Sequence, residues 1–347
     1  MSRGPDPDFW RGKRVLLTGH TGFKGAWAAH WFQNLGAEVA GFALAPEDGL
    51  FTLTGLASDM ESVIGDLRDP EAVAARVQSA APDVILHMAA QALVKQSIAD
   101  PIGTWESNVT GTAHLLAARR QHASEATCLC VTSDKVYQNR ETGQAYVEGD
   151  PLGGKDPYSA SKAACEILVG SWRQTYPGGP LATARAGNVI GGGDFSANRI
   201  IPDIVRAVEA GQAVELRHPD ATRPWQHVLD CVCGYLLFIE ALAGGSQEPA
   251  LNFGPAPEAV TTVATVTERM IAAMDGAPWV HVPESGSVEA KLLSIDASRA
   301  RALLGWEDRL AGDLSINWTA DWYQAWRNGE DMAAFTRAQI HAFEELG

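Results

Sequence analysis

Basic residues are scarce in this sequence. Its 347 residues include 27 Lys and Arg against 42 Asp and Glu, which gives a formal net charge of -15 at pH 7. Nucleic-acid phosphates are bound mainly by clusters of Lys and Arg, and the sequence has no basic run. We therefore expect no nucleic-acid partner, and any phosphate group must be bound at a local site.

Long apolar runs are missing as well. No stretch approaches the roughly 18 uninterrupted apolar residues of a membrane span, and Met1 to Asp6 lack the apolar centre of a signal peptide. We expect no membrane partner and a location in the cytoplasm.

Cysteine is sparse, and its spacing does not suit a zinc site. The pairs Cys128 with Cys130 and Cys231 with Cys233 are not CxxC motifs, and Cys165 stands alone. Because both pairs fall in apolar segments, we expect buried reduced thiols and no bound metal.

The sequence does contain enough apolar residues, 46% against 20% charged, for an ordinary globular protein. From Lys13 to Arg185 short apolar runs alternate with longer amphipathic segments, which is typical of βαβ units in a parallel sheet covered on both faces. This pattern predicts strands at Arg14 to Thr18, Glu38 to Phe42, Ser62 to Gly65, Asp83 to His87, Thr127 to Thr132 and Leu181 to Arg185.

After Arg185 glycines and prolines break the chain into shorter elements, which indicates a second domain. Asp230 to Ala243 and the strand Ala250 to Phe253 are apolar enough to return to the first domain. We expect an α/β protein with a Rossmann-like doubly wound parallel sheet and a smaller, mixed α/β domain. The predicted bounds are 1–186 plus about 228–254 for the first domain, and about 187–227 plus 255–347 for the second.

Three tryptophans at intervals of four, Trp318, Trp322 and Trp326, share one face of a predicted helix. We interpret this face as docking on its own protein; a subunit contact is the alternative.

A glycine-rich turn follows the first predicted strand and opens a predicted helix. Without Cβ atoms the chain can turn tightly and approach a pyrophosphate, which the N–H groups of the helix N-terminus then bind. This context predicts a dinucleotide cofactor bound by Gly19, Thr21, Gly22, Phe23, Lys24 and Gly25.

The second strand does not decide between the two common dinucleotides. Gly41 to Leu44 offer neither an acid for a ribose hydroxyl nor an Arg for a 2′-phosphate. Asp66, followed by Leu67, supplies a carboxylate that could accept from the adenine amino group; a simple strand-end turn is the alternative. The small residues Ala89 and Ala90, with Gln91, would let a loop lie against the cofactor.

Tyr158 and Lys162 are four residues apart, so they share a helix face. A nearby ammonium stabilises a phenolate and prepares Tyr158 to act as a general base. Ser133, at the end of a predicted strand, can hydrogen-bond the reacting hydroxyl. Asp134 and Lys135 are surplus to alcohol oxidation and suggest further chemistry; a helix-capping Asp with a solvated Lys is the alternative.

Together these segments resemble the CDP-glucose 4,6-dehydratase family of extended short-chain dehydrogenase/reductases, over about Trp10 to Trp326. The motifs that carry the resemblance are TGHTGFKG at Thr18 to Gly25, LHMAAQALV at Leu86 to Val94, TSDKVYQN at Thr132 to Asn139, DPYSASK at Asp156 to Lys162, RAGNVIGGGDF at Arg185 to Phe195 and RPWQHV at Arg223 to Val228.

The resemblance implies a bound NAD, CDP-glucose as substrate, CDP-4-keto-6-deoxyglucose as product, and a homodimer or homotetramer in deoxysugar biosynthesis, including that of lipopolysaccharide. It implies that Tyr158 takes the C4 hydroxyl proton while hydride leaves C4, and that hydride later returns to C6. Asp134 would protonate the departing C6 hydroxyl, and Lys135 stands where relatives place the base for the C5 proton.

The resemblance also assigns further site residues. Asn188, Arg199 and Arg223 match positions that bind the sugar and diphosphate, and Asn108 matches an Asn that shapes the active site through backbone contacts. Arg185 is left open between substrate binding and a structural ion pair, and His227 is interpreted as a packed histidine. Val147 and Val288 depart from the polar residues common in the family.

Two other functions stay open at this point. A nucleotide-sugar 4-epimerase or a reductase would use the same glycine turn and the Ser, Tyr and Lys set without the Asp134 and Lys135 pair. A dinucleotide-sensing binding module is the alternative outside enzymes, although such relatives have lost the catalytic Tyr or Lys, and both are present here.

Overall fold

Buried parallel strands form the centre of this computed structural model, which describes residues 3–256, 261–283 and 292–346. One seven-stranded sheet has the order β11-β6-β5-β4-β1-β2-β3, with every neighbouring pair parallel. Its strands are β1 (Arg14–Thr18), β2 (Glu38–Ala43), β3 (Glu61–Ile64), β4 (Val84–His87), β5 (Thr127–Val131), β6 (Leu181–Ala186) and β11 (Ala250–Phe253).

The strand order reverses beside β1. Val15 pairs with Val39 of β2 on one side and with Val84 of β4 on the other. In an open parallel sheet, ligands bind beyond the carboxyl ends of the strands at this reversal. The predicted doubly wound α/β fold is thus confirmed, and the return of the 250–253 strand to the first sheet is confirmed with it.

Helices cover both faces of the sheet. In chain order they are α1 (Pro7–Trp10), α2 (Phe23–Asn34), α3 (Leu50–Leu53), α4 (Pro70–Ala80), α5 (Val94–Ala99), α6 (Pro101–Trp105), α7 (Gly111–His122), α8 (Pro157–Thr175), α9 (Ile200–Glu209), α10 (Val228–Ala243), α11 (Val263–Ala273), α12 (Ser298–Leu304), α13 (Asp313–Arg327) and α14 (Met332–Glu345). Short 3-10 helices span Leu56–Ser58 and Asp134–Val136, and a π-helical turn spans Glu106–Thr110.

An Asp-Pro pair starts four of these helices, α1, α4, α6 and α8. In α8 the side chain of Asp156 accepts a hydrogen bond from the N–H of Ser159, and Pro157 takes the first helical position. This combination caps otherwise unpaired N–H groups and presets the backbone angle of the first turn. It fixes the start of α8 one residue before Tyr158.

Small elements surround the ends of the sheet strands. The two-residue strands β7 (Val189–Ile190), β8 (Glu215–Leu216), β9 (Thr222–Arg223), β10 (Gln226–His227), β12 (Thr261–Thr262) and β13 (Val280–His281) pair as β7 with β10, β9 with β12 and β8 with β13. Helix α13 carries the three tryptophans, of which Trp322 is fully buried while Trp318 and Trp326 pack partly buried against the same core. The helix therefore docks on its own protein, as predicted.

All five cysteines are buried free thiols. Among the residues that the structure describes, no group of three or more His, Cys, Asp or Glu could hold a metal ion. Within the same ranges, no helix is both long enough and apolar enough to cross a membrane.

Candidate active site

The glycine turn between β1 and α2 lies at the carboxyl end of the sheet. Gly19 has a φ of +79°, and a Cβ atom there would stand 2.7 Å from the backbone N of Ala89. A Cβ atom on Gly25 would collide with the carbonyl oxygen of Gly19. Gly22 is the N-cap of α2, whose first N–H groups have no partner within the helix. The turn therefore has the tight backbone and the exposed donors that a diphosphate requires.

A chain of hydrogen bonds links the end of β1 to the end of β4 and to α7. His87 contacts Thr18 Oγ1 at 2.7 Å and Thr112 Oγ1 at 2.9 Å, and the Thr112 hydroxyl donates to the carbonyl of Asn108. Because Thr112 uses its proton on Asn108, the Nε2 of His87 must be the donor and its Nδ1 the acceptor. Burial lowers the pKa of His87 to about 3, which keeps the ring neutral and preserves this arrangement.

Asn108 lies in the π-helical turn and ties the loop after β4 to α8. Its Oδ1 accepts from the N–H of Gln91 at 2.8 Å, and its Nδ2 donates to the Gln91 carbonyl at 3.0 Å and to Ser161 Oγ at 2.9 Å. The side chain thus holds the loop of Ala89, Ala90 and Gln91 through backbone contacts, which is the geometry expected from the resemblance.

Gly41, inside β2, has no room for a side chain. A Cβ atom on Gly41 would stand 2.5 Å from the ring of His20, whose Nε2 contacts Ser62 Oγ at 2.7 Å. Burial lowers the pKa of His20 to about 4, so this ring is neutral near pH 7. The sequence shows the glycine, but only the structure shows that the imidazole of His20 occupies the space.

Asp66 and Leu67 follow β3, an edge strand of the sheet. Asp66 forms an ion pair with Arg68 at 2.6 Å and accepts from its N–H. Hydrogen bonding to Arg68 lowers the pKa of the Asp66 carboxyl. These are the contacts of a strand-end turn, and the role of Asp66 toward adenine stays a prediction.

The turn after β5 carries Ser133, Asp134 and Lys135. The Ser133 hydroxyl donates to Asp134 Oδ1 at 2.9 Å and accepts from the Lys135 N–H at 3.2 Å. Asp134 is 1% exposed, and its Oδ2 is buried with no hydrogen-bond partner. Burying a carboxyl oxygen without a partner costs free energy.

Helix α8 brings Tyr158 and Lys162 to the same place. Both side chains are buried, at 8% and 7% exposure, and Lys162 Nζ donates to the carbonyl of Val131 at 3.1 Å. Val131 ends β5, so this bond places the lysine directly beneath the Ser133 turn.

One cleft of about 520 Å³ collects most of the predicted catalytic and substrate residues. It is lined by Phe23, Lys24, Ser133, Asp134, Lys135, Tyr158, Asn188, Arg199 and Arg223, among others. Its lining contains six Lys or Arg residues and four Asp or Glu residues, although acids outnumber bases in the whole chain. The cleft is therefore locally rich in cations and suited to an anionic ligand.

Sequence reasoning missed two acids that position arginines. Asp194 is buried and pairs with Arg199 at 3.0 Å, and the hydroxyl of Tyr323 donates to its carbonyl. Glu166 pairs with Arg185 at 2.7 Å, with both side chains about 5% exposed or less. Arg185 is therefore a structural ion-pair partner, the second of the two roles left open. The acid in GGGDF could have signalled the first pair.

His227 is fully buried, and its Nδ1 accepts from the N–H of Leu229. The ring lies between Trp27 and Trp318, and burial lowers its pKa to about 3. The interpretation as a packed histidine is confirmed. Val147 is 44% exposed, and Val288 lies outside the described residues.

Comparison with known proteins connects this geometry to a family. A sequence model of the NAD dependent epimerase/dehydratase family matches residues 15–254. The chain is 41% identical to the CDP-glucose 4,6-dehydratase of Salmonella typhimurium, covering 96% of this chain and 97% of that protein.

Solved structures show the same fold. The dTDP-glucose 4,6-dehydratase of Streptomyces venezuelae, solved with NAD and TYD bound, is 25% identical with a TM-score of 0.78, covering 91% of this chain and 98% of that one. A UDP-glucose 4-epimerase from Stenotrophomonas maltophila, solved with NAD, is 23% identical with a TM-score of 0.80, covering 91% and 99%. With its glycine turn, Tyr158 and Lys162 in place, the chain belongs to the NAD dependent epimerase/dehydratase family.

Proposed function

We propose that this enzyme converts CDP-glucose to CDP-4-keto-6-deoxyglucose by removing one molecule of water. The observation that carries the proposal is the juxtaposition of Asp134 and Lys135 with Tyr158 in one cleft. The 41% identity to a CDP-glucose 4,6-dehydratase supports the choice of substrate.

The residues of the glycine turn fit NAD, the cofactor of the family. A Cβ atom would collide at Gly19 and Gly25, so the backbone is shaped for close approach of a diphosphate. Gly22, Thr21, Phe23 and Lys24 complete this turn. NAD bound there would supply the hydride acceptor and then the hydride donor of the reaction, so that no net oxidation occurs.

The oxidation step uses Tyr158, Lys162 and Ser133. Tyr158 takes the proton of the C4 hydroxyl, and Lys162, four residues further along α8, lies on the same face of the helix. Ser133 orients the C4 oxygen: its hydroxyl proton, which is donated to Asp134 Oδ1 in this structure, would be donated to the C4 oxygen when the substrate is bound. The resulting C4 ketone makes the neighbouring C5 proton acidic.

The elimination step uses Asp134 and Lys135. Asp134, starting as the carboxylic acid with its proton on Oδ2, gives that proton to the C6 hydroxyl as the C6–O bond breaks and water leaves. Lys135, half-buried in the same turn, acts as a neutral amine that removes the C5 proton and gives a proton back to C5 when the hydride reaches C6. An alcohol oxidation alone would need neither residue.

Asn188, Arg199 and Arg223 bind the sugar and the diphosphate of the substrate in this proposal. An Arg can bind two phosphate oxygens at once, and the pairing of Arg199 with Asp194 holds its guanidinium at the cleft. These residues fall in the segment assigned to the smaller domain, which supports residues 187–227 and 255–347 as the nucleotide-sugar domain.

The proposal includes assembly and location. We place the enzyme in the cytoplasm because its buried free thiols suit a reducing compartment.

We assign a homodimer or homotetramer contact to α6 and α8, which pack together. Helix α6 exposes Ile102 at 67% and Trp105 at 40%, and α8 exposes Ile167 at 65%. A monomer by sedimentation would contradict this assignment.

A panel of nucleotide hexoses tests the proposed reaction. Each is incubated with enzyme and NAD⁺ without added reductant, and the masses of the products are measured by mass spectrometry. We expect CDP-glucose to lose one water without net consumption of NAD⁺. Reaction of another nucleotide's glucose alone would overturn the CDP assignment, whereas a product of unchanged mass would favour an epimerase.

A further inference from the structure

A buried ion pair, Glu166 with Arg185, is hydrogen-bonded to the residues on both sides of the turn that carries Ser133, Asp134 and Lys135, called the catalytic turn below. Thr132, the residue before Ser133, donates its hydroxyl to Glu166 Oε1 at 2.5 Å. Tyr137, directly after the 3-10 helix of Asp134–Val136, accepts a hydrogen bond at its hydroxyl from Arg185 Nη1 at 2.8 Å. Glu166 and Arg185 close this loop of contacts through their own 2.7 Å ion pair.

Helix α8, which supplies Glu166, also carries Tyr158, the proposed base. Glu166 lies on α8 four residues after Lys162 and eight after Tyr158, so the three side chains share a face. Successive turns of α8 bind the last residue of β5 and the residue after it, because Lys162 bonds the Val131 carbonyl and Glu166 bonds Thr132. The position of the Ser133 turn along α8 is thus fixed at two points.

Further contacts hold Arg185 and Tyr137 in place. The guanidinium donates to the carbonyl of Glu148 at 3.1 Å and lies 5.1 Å from the centre of the Tyr137 ring. The Tyr137 hydroxyl donates to Asn252 Oδ1 at 2.7 Å. The hydrogen bonds that join Thr132, Glu166, Arg185, Tyr137 and Asn252 are all buried, so their geometry has few alternatives.

Stability alone does not account for this arrangement. Buried ion pairs are weak contributors to stability, because desolvation offsets much of their attraction. Displacing a catalytic group by about 1 Å, in contrast, can reduce a rate on the order of 100-fold. We infer that Glu166 and Arg185 are positioning residues that hold the Ser133–Lys135 turn in register with Tyr158. They touch neither substrate nor cofactor in this assignment, which rests on the proposed function.

Two threonines allow a matched test. Thr132 and Thr183 both donate a hydroxyl to Glu166, at 2.5 Å and 2.7 Å, and both are buried. Thr132 adjoins the catalytic turn, whereas Thr183 lies inside β6. Thr132→Val and Thr183→Val therefore remove equivalent bonds from one carboxylate, and only the first releases the turn. Tyr137→Phe releases its other end, and Thr132→Ser restores the lost hydroxyl.

The experiment measures steady-state kinetics on CDP-glucose and amide hydrogen exchange of the peptide that covers Ser133 to Tyr137. We expect Thr132→Val and Tyr137→Phe to lower kcat by about 10- to 100-fold, with KM within about twofold and with faster exchange in the turn. Thr183→Val and Thr132→Ser should keep nearly the wild-type kcat and exchange.

Equal effects of Thr132→Val and Thr183→Val would show that only general packing is affected, and would overturn the proposal. So would unchanged exchange and kcat in folded Thr132→Val and Tyr137→Phe. If Thr132→Val fails to fold, Tyr137→Phe decides. If the wild-type enzyme does not act on CDP-glucose, the proposed function fails. Amide hydrogen exchange in the variants then still decides whether Glu166 and Arg185 hold the turn.

Discussion

The free carboxylate oxygen of Asp134 lies against Gly187, where a Cβ atom would stand 3.1 Å away. The other oxygen of the same carboxylate accepts from Ser133. A side chain at position 187 would therefore crowd this oxygen, and both residues line the cleft. This relationship fits an Asp134 that exchanges a proton with a bound molecule.

Replacement of Asp134 by Asn should separate oxidation from dehydration. The amide keeps the shape of the carboxyl group but cannot deliver its proton, so water loss should slow while oxidation at C4 proceeds. In a single turnover with CDP-glucose we expect absorbance from bound NADH to accumulate.

Replacement of Lys135 by Met should give a related block, because removal of the C5 proton is needed for elimination but not for oxidation. Mass analysis of the quenched mixture should show delayed water loss. Elimination at the wild-type rate in both variants would make the pair structural. Absence of NADH in folded, substrate-binding variants would move these residues to the oxidation step.

Tyr158→Phe should remove the base of the first step while keeping the buried ring. We expect turnover to fall by a factor on the order of 10² to 10⁴, with the fold intact by circular dichroism. Near wild-type turnover in the folded variant would remove Tyr158 from the mechanism.

NAD⁺ should bind more tightly than NADP⁺, by about tenfold or more, which is about 1.4 kcal/mol. Phe42 to Leu44 contain no arginine for a 2′-phosphate, and Arg68 is engaged by Asp66 through two hydrogen bonds. Calorimetric titration of both cofactors into stripped enzyme measures the ratio. Equal or tighter binding of NADP⁺ would defeat this prediction.

Asp308→Asn should stabilise the enzyme at pH 8 but not at pH 4. Burial raises the pKa of Asp308 to about 6 from its ordinary 3.8, so between these values the folded chain retains a proton that the unfolded chain loses. The contribution of Asp308 to stability is therefore present below pH 3.8 and is lost as the pH rises through about 6.

Urea denaturation at both pH values measures this effect. We expect the variant to gain on the order of 1 to 3 kcal/mol at pH 8 and almost nothing at pH 4. The exposed Asp48, replaced by Asn, is the matched control. A gain of equal size at both pH values would mean that proton binding is not the cause.

The parallel sheet could be predicted because its strands are buried on both faces and appear as apolar runs. The predicted strand at Arg14 to Thr18 agrees with β1 at both ends, and the predicted Ser62 to Gly65 is displaced by one residue from β3. Strand ends depend on the neighbouring strand that supplies the last hydrogen bonds, and that partner is distant in sequence.

The local motifs also predicted that Ser133 and Tyr158 come together: Ser133 lies in the turn after β5, Tyr158 lies in the first turn of α8, and both line one cleft. The pairing of Glu166 with Arg185 was not predictable, because the two residues belong to different elements and neither forms a motif with the other. The π-helical turn that carries Asn108 was equally hidden, because it depends on tertiary contacts to Gln91 and Ser161 rather than on local propensity.

Transfer of a label within the substrate tests the central claim most directly. CDP-glucose that carries deuterium at C4 is incubated with the enzyme, and the product is examined by NMR and mass spectrometry. Because the hydride removed from C4 is returned to C6 of the same sugar, we predict a product lighter by one water with deuterium at C6. Deuterium retained at C4, or its absence from the dehydrated product, would contradict the account.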